Sequence, residues 1–377
     1  MNSQQLINNT IKTIASLEVP HQQSIDVVAQ RQSQLTKPKG ALGKLETLPE
    51  FIAGVAAVPN PTLHRKTIVV AAADHGVTEE EVSAYPKEVT EQMVKNFLQG
   101  GAAINVLARN FKIDVIVIDA GISISSPIQG SLVQSSLGKG TENIAIGPAM
   151  SYDKATETIT RGIEIFNEAH SKNPIDIIGL GEMGIGNTTS AAALIAAISR
   201  RKPSTVVGLG TGISASQFER KIAVIERALD VNINAIKDAY QMNGSEKAIA
   251  FLAALGGFEI GILTGIALGA AAKRVPIVID GVTSGTAVLL ASLATPYLKK
   301  FTIPSHMSPE PGHRVVLDML DSRDPLLDLE MRLGEGSGAA LAINLCDIAC
   351  QLLTDMATFA EAAVSTIAPI RKIEGRK

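Results

Sequence analysis

Residues 175–199 read IDIIGLGEMGIGNTTSAAALIAAIS, and this stretch decides the fold. A β-rich run, Ile175–Ile178, ends in a glycine-rich loop, Gly179 to Ser190, and gives way to an apolar helical run, Ala191–Ile198. Strand, glycine loop and helix in that order is the front half of a βαβ unit. The pattern recurs in both directions. Further strand candidates are Thr67–Ala72 and Ile113–Ile118 upstream, and Thr205–Val207, Pro276–Ile279 and a weaker Phe301–Ile303 downstream. Alternation of this kind predicts an α/β fold with parallel strands joined by helical crossovers. In such sheets ligands collect beyond the carboxyl ends of the strands, so the loops that follow the strands are where chemistry is expected.

The two chain ends read differently. Ile11, Ile14, Ala15 and Leu17 keep helical spacing, as do Leu42, Leu45, Leu48 and Phe51, and again Leu341, Leu345, Ile348, Leu352 and Met356. No strand follows the last of these. Residues 1–58 plus 339–377 are therefore expected to form a small helical domain, with a large α/β domain over 59–338.

Composition narrows the function classes. Hydrophobic residues make up 46% of the 377 but aromatics only 3%, with no Trp, so the core is Ala, Ile, Leu and Val. That fits helices on a parallel sheet and excludes an aromatic platform that stacks bases. Lys plus Arg is 34 against 37 Asp plus Glu, a net charge of -3 without long like-charge blocks, which argues against a nucleic-acid partner. The N-terminus lacks a signal-peptide core, and the longest uncharged apolar run, Ile260–Ala272, is too short to span a bilayer. Cys346 and Cys350, four apart in a helical run, suit neither a disulfide nor a metal site and read as small buried residues. These points predict a cytoplasmic protein with no membrane partner. The tail Ile373-Glu374-Gly375-Arg376 is set aside from the fold reading.

Five loops follow strand candidates or glycine clusters. Asp74-His75-Gly76 carries a charged pair that either meets a ligand or caps the loop. Gly179 to Ser190 contains G-x-G-x-x-G at 179, 181 and 184, yet no acid ends the next candidate strand, as a dinucleotide site requires. What survives is an anion cradle: backbone N–H groups, a helix N-terminus, and side-chain donors from Asn187, Thr188 and Thr189. Gly208-Leu209-Gly210-Thr211-Gly212 can converge on the same anion, with Lys221 as counter-charge. Asp280, before Gly281, suits ribose hydroxyls or a helix cap equally. Glu335 sits between Gly334 and Gly336, with room for a flat ligand, and is a candidate base. His306, Glu310 and His313 match no standard metal-ligand spacing, so no metal is expected.

Taken together, Gln34 to Gly43, Asp74 to Val77, Glu88 to Met93, Gly181 to Thr189, Gly208 to Gly212 and Leu333 to Gly338 resemble one family in the expected order. It is the nicotinate-nucleotide–dimethylbenzimidazole phosphoribosyltransferase family of cobalamin nucleotide-loop assembly. Lys39 departs from the second proline expected in the first motif. The resemblance implies a Rossmann-like large domain with a parallel sheet flanked by helices, a small helical domain from both chain ends, and a homodimer. It implies Glu335 as general base, with Glu182, Gln92, Ser83 and Leu333 at the benzimidazole. Gly184, Asn187, Thr188, Gly210, Gly212 and Lys221 are expected at the phosphoribosyl group, and Asp280 is assigned there too. The implied substrates are nicotinate mononucleotide and 5,6-dimethylbenzimidazole, with no cofactor. Two alternatives stand beside this reading: a non-catalytic nucleotide or azole binder, and a nicotinamide-dinucleotide oxidoreductase suggested by the G-x-G-x-x-G spacing.

Overall fold

The computed structural model describes residues 2–125, 128–210, 212–322 and 324–365. Thr211 of the second glycine loop and the tail from 366, including Ile373-Glu374-Gly375-Arg376, lie outside them. In chain order the elements are α1 (Ser3–Ser16), α2 (Gln22–Gln34), α3 (Lys44–Ala56), β1 (Lys66–Ala73), α4 (Val89–Gln99), α5 (Ala103–Phe111), β2 (Ile113–Gly121), β3 (Leu132–Gln134), α6 (Tyr152–Lys172), β4 (Ile177–Met183) and α7 (Asn187–Ser199). There follow α8 (Ala215–Val231), α9 (Ile233–Gln241), α10 (Gly244–Leu255), α11 (Phe258–Ala272), β5 (Ile277–Ile279), α12 (Val282–Ala294), β6 (Thr302–Pro304), α13 (Pro311–Met319) and α14 (Ser337–Asp355).

The six strands form one parallel sheet in the order β3-β2-β1-β4-β5-β6. Strand β1 is buried along its whole length, which is why its sequence from Ile68 to Ala73 is a continuous apolar run rather than an alternation. The order reverses direction between β1 and β4. A crevice opens there because successive crossovers leave for opposite faces of the sheet. Register places Ala71 of β1 beside Glu182 of β4, so the glycine loop after β4 begins at the mouth of that crevice. Helix α11 is buried from Phe258 to Ala271 and is apolar on every side apart from Glu259 and Thr264. It crosses α6 closely at Gly162 and Gly265, where an added Cβ on either would collide with a backbone carbonyl of the other helix.

Two differences from the sequence-based strands matter. Thr205–Val207 is no strand: Pro203–Thr205 is a short 3-10 turn, closed by Val206 N–H and Val207 N–H donating to the Pro203 carbonyl. Pro203 at its first position favours that turn. Leu132–Gln134 is an edge strand too short for the sequence pattern to reveal.

The chain divides into two compact units, residues 1–19 with 63–344, and 20–62 with 345 onward. Helix α1 belongs to the large unit, where its buried face of Ile7, Thr10 and Ile14 meets α6 and α11. The expected boundary at residue 58, with α1 in the small domain, is corrected to that extent: the apolar stripe of α1 is satisfied by the sheet-covering helices. In the second unit Val28, Ala53 and Leu353 form the core. Arg31 there donates to the carbonyls of Leu353, Thr354 and Met356, which satisfies the C-terminal end of α14. By length and hydropathy α14 is the one described helix able to cross a membrane, but more than half of that stretch is buried in protein. Cys346 and Cys350 lie on its buried face as free thiols, and burial raises the pKa of both.

Candidate active site

A cavity of about 280 Å³ opens where the loops after β4, β5 and β6 meet. Its wall includes Glu182, Gly184, Asn187 and Thr188 from the β4–α7 connection, Gly210 from the second glycine loop, and Leu333 and Gly334. Tyr85, Thr283, His306, Ser308, Glu310 and Arg332 also line it. Six of the expected site residues therefore share one wall: Glu182, Gly184, Asn187, Thr188, Gly210 and Leu333.

The glycines of the G-x-G-x-x-G spacing do not line a pyrophosphate loop. Gly179 and Gly181 are interior positions of β4. An added Cβ at Gly179 would press on Ala339 and Ile343 of α14, and one at Gly181 would collide with the backbone of Glu335. Their bareness lets the Glu335 loop and α14 lie directly on the sheet. The strand that follows β4 in sequence is β5, which ends at Ile279 with Asp280 directly after it, about a hundred residues on. That acid is also turned to another use, described next.

Asp280 is fully enclosed. One oxygen accepts from Gly338 N–H (2.6 Å) and Ala339 N–H (3.0 Å), and the other from Gly336 N–H (3.1 Å). It therefore caps the N-terminus of α14 and holds the Glu335 loop against the sheet. Asp280 is expected at the phosphoribosyl group; in the structure its oxygens face backbone donors and it is not among the residues that line the cavity. Burial still raises its pKa to about 7 against those N–H bonds.

Glu335 stands in the left-handed region (φ +61°) between Gly334 and Gly336, both also at positive φ. A side chain at Gly334 would strike the carboxylate of Glu182, and one at Gly336 would strike Ile68 of β1. The Glu335 carboxylate accepts from Ile104 N–H in the first turn of α5 at 3.4 Å. Burial raises its pKa, the Ile104 bond pulls it back, and Asp280 adds a smaller upward push. Glu182 is raised further, to about 8, chiefly by burial and then by Asp280 and Glu259; its bond from the Asn187 amide opposes this. The two carboxyls act on each other's charge, and the bare Gly334 separates them.

At the other end lies Lys221 of α8, 1% exposed. Its ammonium donates to Thr188 Oγ at 2.8 Å and sits beneath the bare Cα of Gly210. Burial lowers its pKa to about 8, with Glu310 pulling it back up. Arg332 donates to the Gly210 carbonyl at 2.9 Å, and Gly212, at φ +88°, lies next to the Arg332 guanidinium.

Other expected residues fall elsewhere. Ser83 Oγ accepts from Tyr85 N–H and its carbonyl from Gln217 of α8, while Tyr85 reaches the wall in its place. Gln92 is not brought to this cavity; it lines a second one of about 360 Å³ with Asp74, Glu91 and Ser123. Asp74 accepts from Ser123 N–H, and His75 is locked between Glu259 (2.9 Å) and Ser190 (3.1 Å) with no exposure. That pair of loop residues is structural rather than ligand-facing in the main cavity. Among the described residues no group of three or more His, Cys, Asp and Glu side chains is placed to hold a metal ion.

Sequence alone does not single out His306, Ser308, Glu310 and Arg332 as ligand contacts. The first three follow β6, whose sequence candidate is Phe301–Ile303; in the sequence His306 and Glu310 are weighed only as metal ligands, so that strand end is not inspected for a substrate.

Comparison with known proteins agrees with this geometry. A family model described as phosphoribosyltransferase matches residues 17–364. A nicotinate-nucleotide–dimethylbenzimidazole phosphoribosyltransferase from Chloroflexus aggregans is 48% identical over 360 residues, covering 96% of this chain and 98% of that protein. One from Roseiflexus castenholzii is 46% identical over 370 residues, covering 98% and 99%. The crystal structure of CobT from Thermus thermophilus superposes with a TM-score of 0.83 at 41% identity, covering 91% of this chain and 99% of that one. The chain belongs to the nicotinate-nucleotide–dimethylbenzimidazole phosphoribosyltransferase family.

Proposed function

We propose that this chain transfers the 5-phosphoribosyl group of nicotinate mononucleotide to 5,6-dimethylbenzimidazole, giving α-ribazole 5′-phosphate and nicotinate for cobalamin biosynthesis, with Glu335 as the base. One observation carries the assignment of Glu335. A buried carboxylate whose pKa burial raises is held in a left-handed turn between two glycines, next to the cavity wall formed by Leu333, Gly334 and Glu182. A raised pKa makes a carboxylate a stronger proton acceptor, and the bare glycines leave room for a planar ring.

The chemistry asks little else of the protein. One benzimidazole nitrogen attacks C1′ as the C1′–N bond to the pyridinium breaks, and that bonding pair returns to the pyridine nitrogen. The leaving ring departs without needing a proton. The other benzimidazole nitrogen loses its proton to Glu335. Attack from the face opposite the leaving group converts a β-riboside into an α-riboside. Glu182, held near neutrality by its pKa of about 8, can donate a hydrogen bond close to the reacting ring. The first turn of α7, Thr188 and the buried Lys221 supply the positive end of the site for the phosphate. Holding donor and acceptor in line can lower the barrier by about 7 kcal/mol or more in favourable cases.

The test is turnover of nicotinate mononucleotide with 5,6-dimethylbenzimidazole, followed by the appearance of α-ribazole 5′-phosphate. Ligand binding without product would make the chain a sensor rather than an enzyme. A homodimer belongs to the same reading, and sedimentation of the purified protein checks it.

A further inference from the structure

Glu310 is the carboxylate on the cavity wall that the mechanism above leaves without a task. It immediately precedes α13, just beyond the carboxyl end of β6, and is 7% exposed. One oxygen accepts from Gly210 N–H at 2.9 Å, and its own N–H donates to Ser308 Oγ at 3.4 Å. A Cβ on Gly208 would fall on this carboxylate, so that glycine makes room for it. Lys221 lies close enough for the two charges to influence each other. The carboxylate is thus fixed in place at the glycine-loop end, while an ionised carboxylate has about four acceptor sites and the Gly210 bond uses one.

The donor's ribose carries two neighbouring hydroxyls that need acceptors. Asp280, expected to take them, is occupied by the N-terminal amides of α14. Of the carboxylates that line the cavity, Glu182 is bound to Asn187 and faces Gly334 at the base end. Glu310 is the one bonded to Gly210 of the second glycine loop and close to the buried Lys221 of α8. We propose that Glu310 accepts the ribose 2′- and 3′-hydroxyls of the donor and so sets the preference for a ribosyl over a deoxyribosyl group. The assignment rests on the phosphoribosyl-transfer reading. The rival role for this residue is a stand-in for the donor's phosphate on the Gly210 amide.

The experiment measures kcat/KM for nicotinate mononucleotide and for its 2′-deoxy and 3′-deoxy analogues, with wild type, Glu310→Gln and Glu310→Ala. Loss of the 2′-hydroxyl also alters the intrinsic lability of the C1′–N bond. The readout is therefore the ribosyl-to-deoxyribosyl ratio compared between wild type and variant, where that effect cancels. Loss of the bond between hydroxyl and carboxylate is expected to make this ratio fall about 10- to 100-fold in the variants. Glu310→Gln keeps an acceptor for Gly210 N–H and guards against misfolding. Binding of the 3′-deoxy donor to wild type, weaker than the ribosyl donor by a similar factor, needs no variant at all. An unchanged ratio in folded variants, equal wild-type affinity for ribosyl and 3′-deoxyribosyl donors, or tighter binding of all three donors by the variants would each overturn the proposal. The last of these is the result expected of a phosphate stand-in. Wild-type protein that turns over none of the donors would overturn the phosphoribosyl reading and this inference with it.

Discussion

The two ends of the cavity use burial in opposite ways. At one end Glu182, Asp280 and Glu335 all have raised pKa values, with burial the first cause in each. At the other end burial lowers the pKa of Lys221, while Glu310 pulls it back up and Thr188 accepts from the ammonium. Desolvation penalises whichever form is charged, so it pushes carboxyls toward holding protons and an ammonium toward losing one. The carboxyl end is thereby tuned for proton acceptance. The lysine end becomes a site whose cation is restored by an incoming anion. The same physical effect prepares one end for chemistry and the other for binding.

The hardest test of this contrast is Glu335→Gln. The amide keeps the shape and an acceptor for Ile104 N–H but cannot take a proton. Turnover is expected to fall about 10²–10⁴-fold, with donor binding unchanged. Because only the ionised form accepts a proton, wild-type kcat/KM should rise with pH through a pKa above the ordinary 4.5. Turnover close to wild type in the variant would move the base role to Glu182.

The lysine end is tested next. Lys221→Ala should lower kcat/KM for nicotinate mononucleotide by roughly 10- to 100-fold, the range for bonds to charged groups. Nicotinate riboside, which lacks the phosphate, should lose much less. Lys221 also holds Thr188, and loss of that support would penalise both donors alike. Equal penalties would therefore reduce Lys221 to a structural prop and erase the contrast between the two ends.

The two glycine loops show how far the sequence is legible. Strand, loop and helix over 175–199 lead directly to a parallel sheet, since that run must be buried on both faces. The catalytic candidate Glu335 is visible because three glycines within five residues of its loop have no other ready use. What the spacing does not show is what each glycine faces. It suggests that Gly179 and Gly181 approach an anion, but they admit α14 and the Glu335 backbone. Gly208 admits Glu310, a residue about a hundred positions away. Asp280 reads equally as a ribose contact or a helix cap, and the cap it makes belongs to α14 rather than to the helix after it. Local pattern specifies the elements. The partners of a buried polar group depend on which distant loop the topology delivers to it.

The smallest expected effect is on stability, and it sets the two ends against each other by sign. Glu182 has a folded pKa of about 8 against an ordinary 4.5, and Asp280 about 7 against 3.8. Between those limits the folded protein keeps protons that the unfolded chain has released, so stability is full below the ordinary values and declines as pH rises toward 8. Lys221 has a folded pKa of about 8 against 10.5. Between these values the unfolded chain holds a proton that the folded protein has lost, so its contribution grows as pH rises from 8 toward 10.5 and is lost as pH falls through 8. These groups together place a minimum in stability near pH 8. Thermal unfolding across pH 5 to 10 checks it. In Glu182→Gln the decline below pH 8 should be shallower, with the variant matching wild type near pH 5 and exceeding it near pH 8, because the amide has no proton to lose. In Lys221→Met the recovery above pH 8 should flatten while the lower limb stays. Parallel curves for wild type and both variants would show that burial does not tune the two ends in opposite directions.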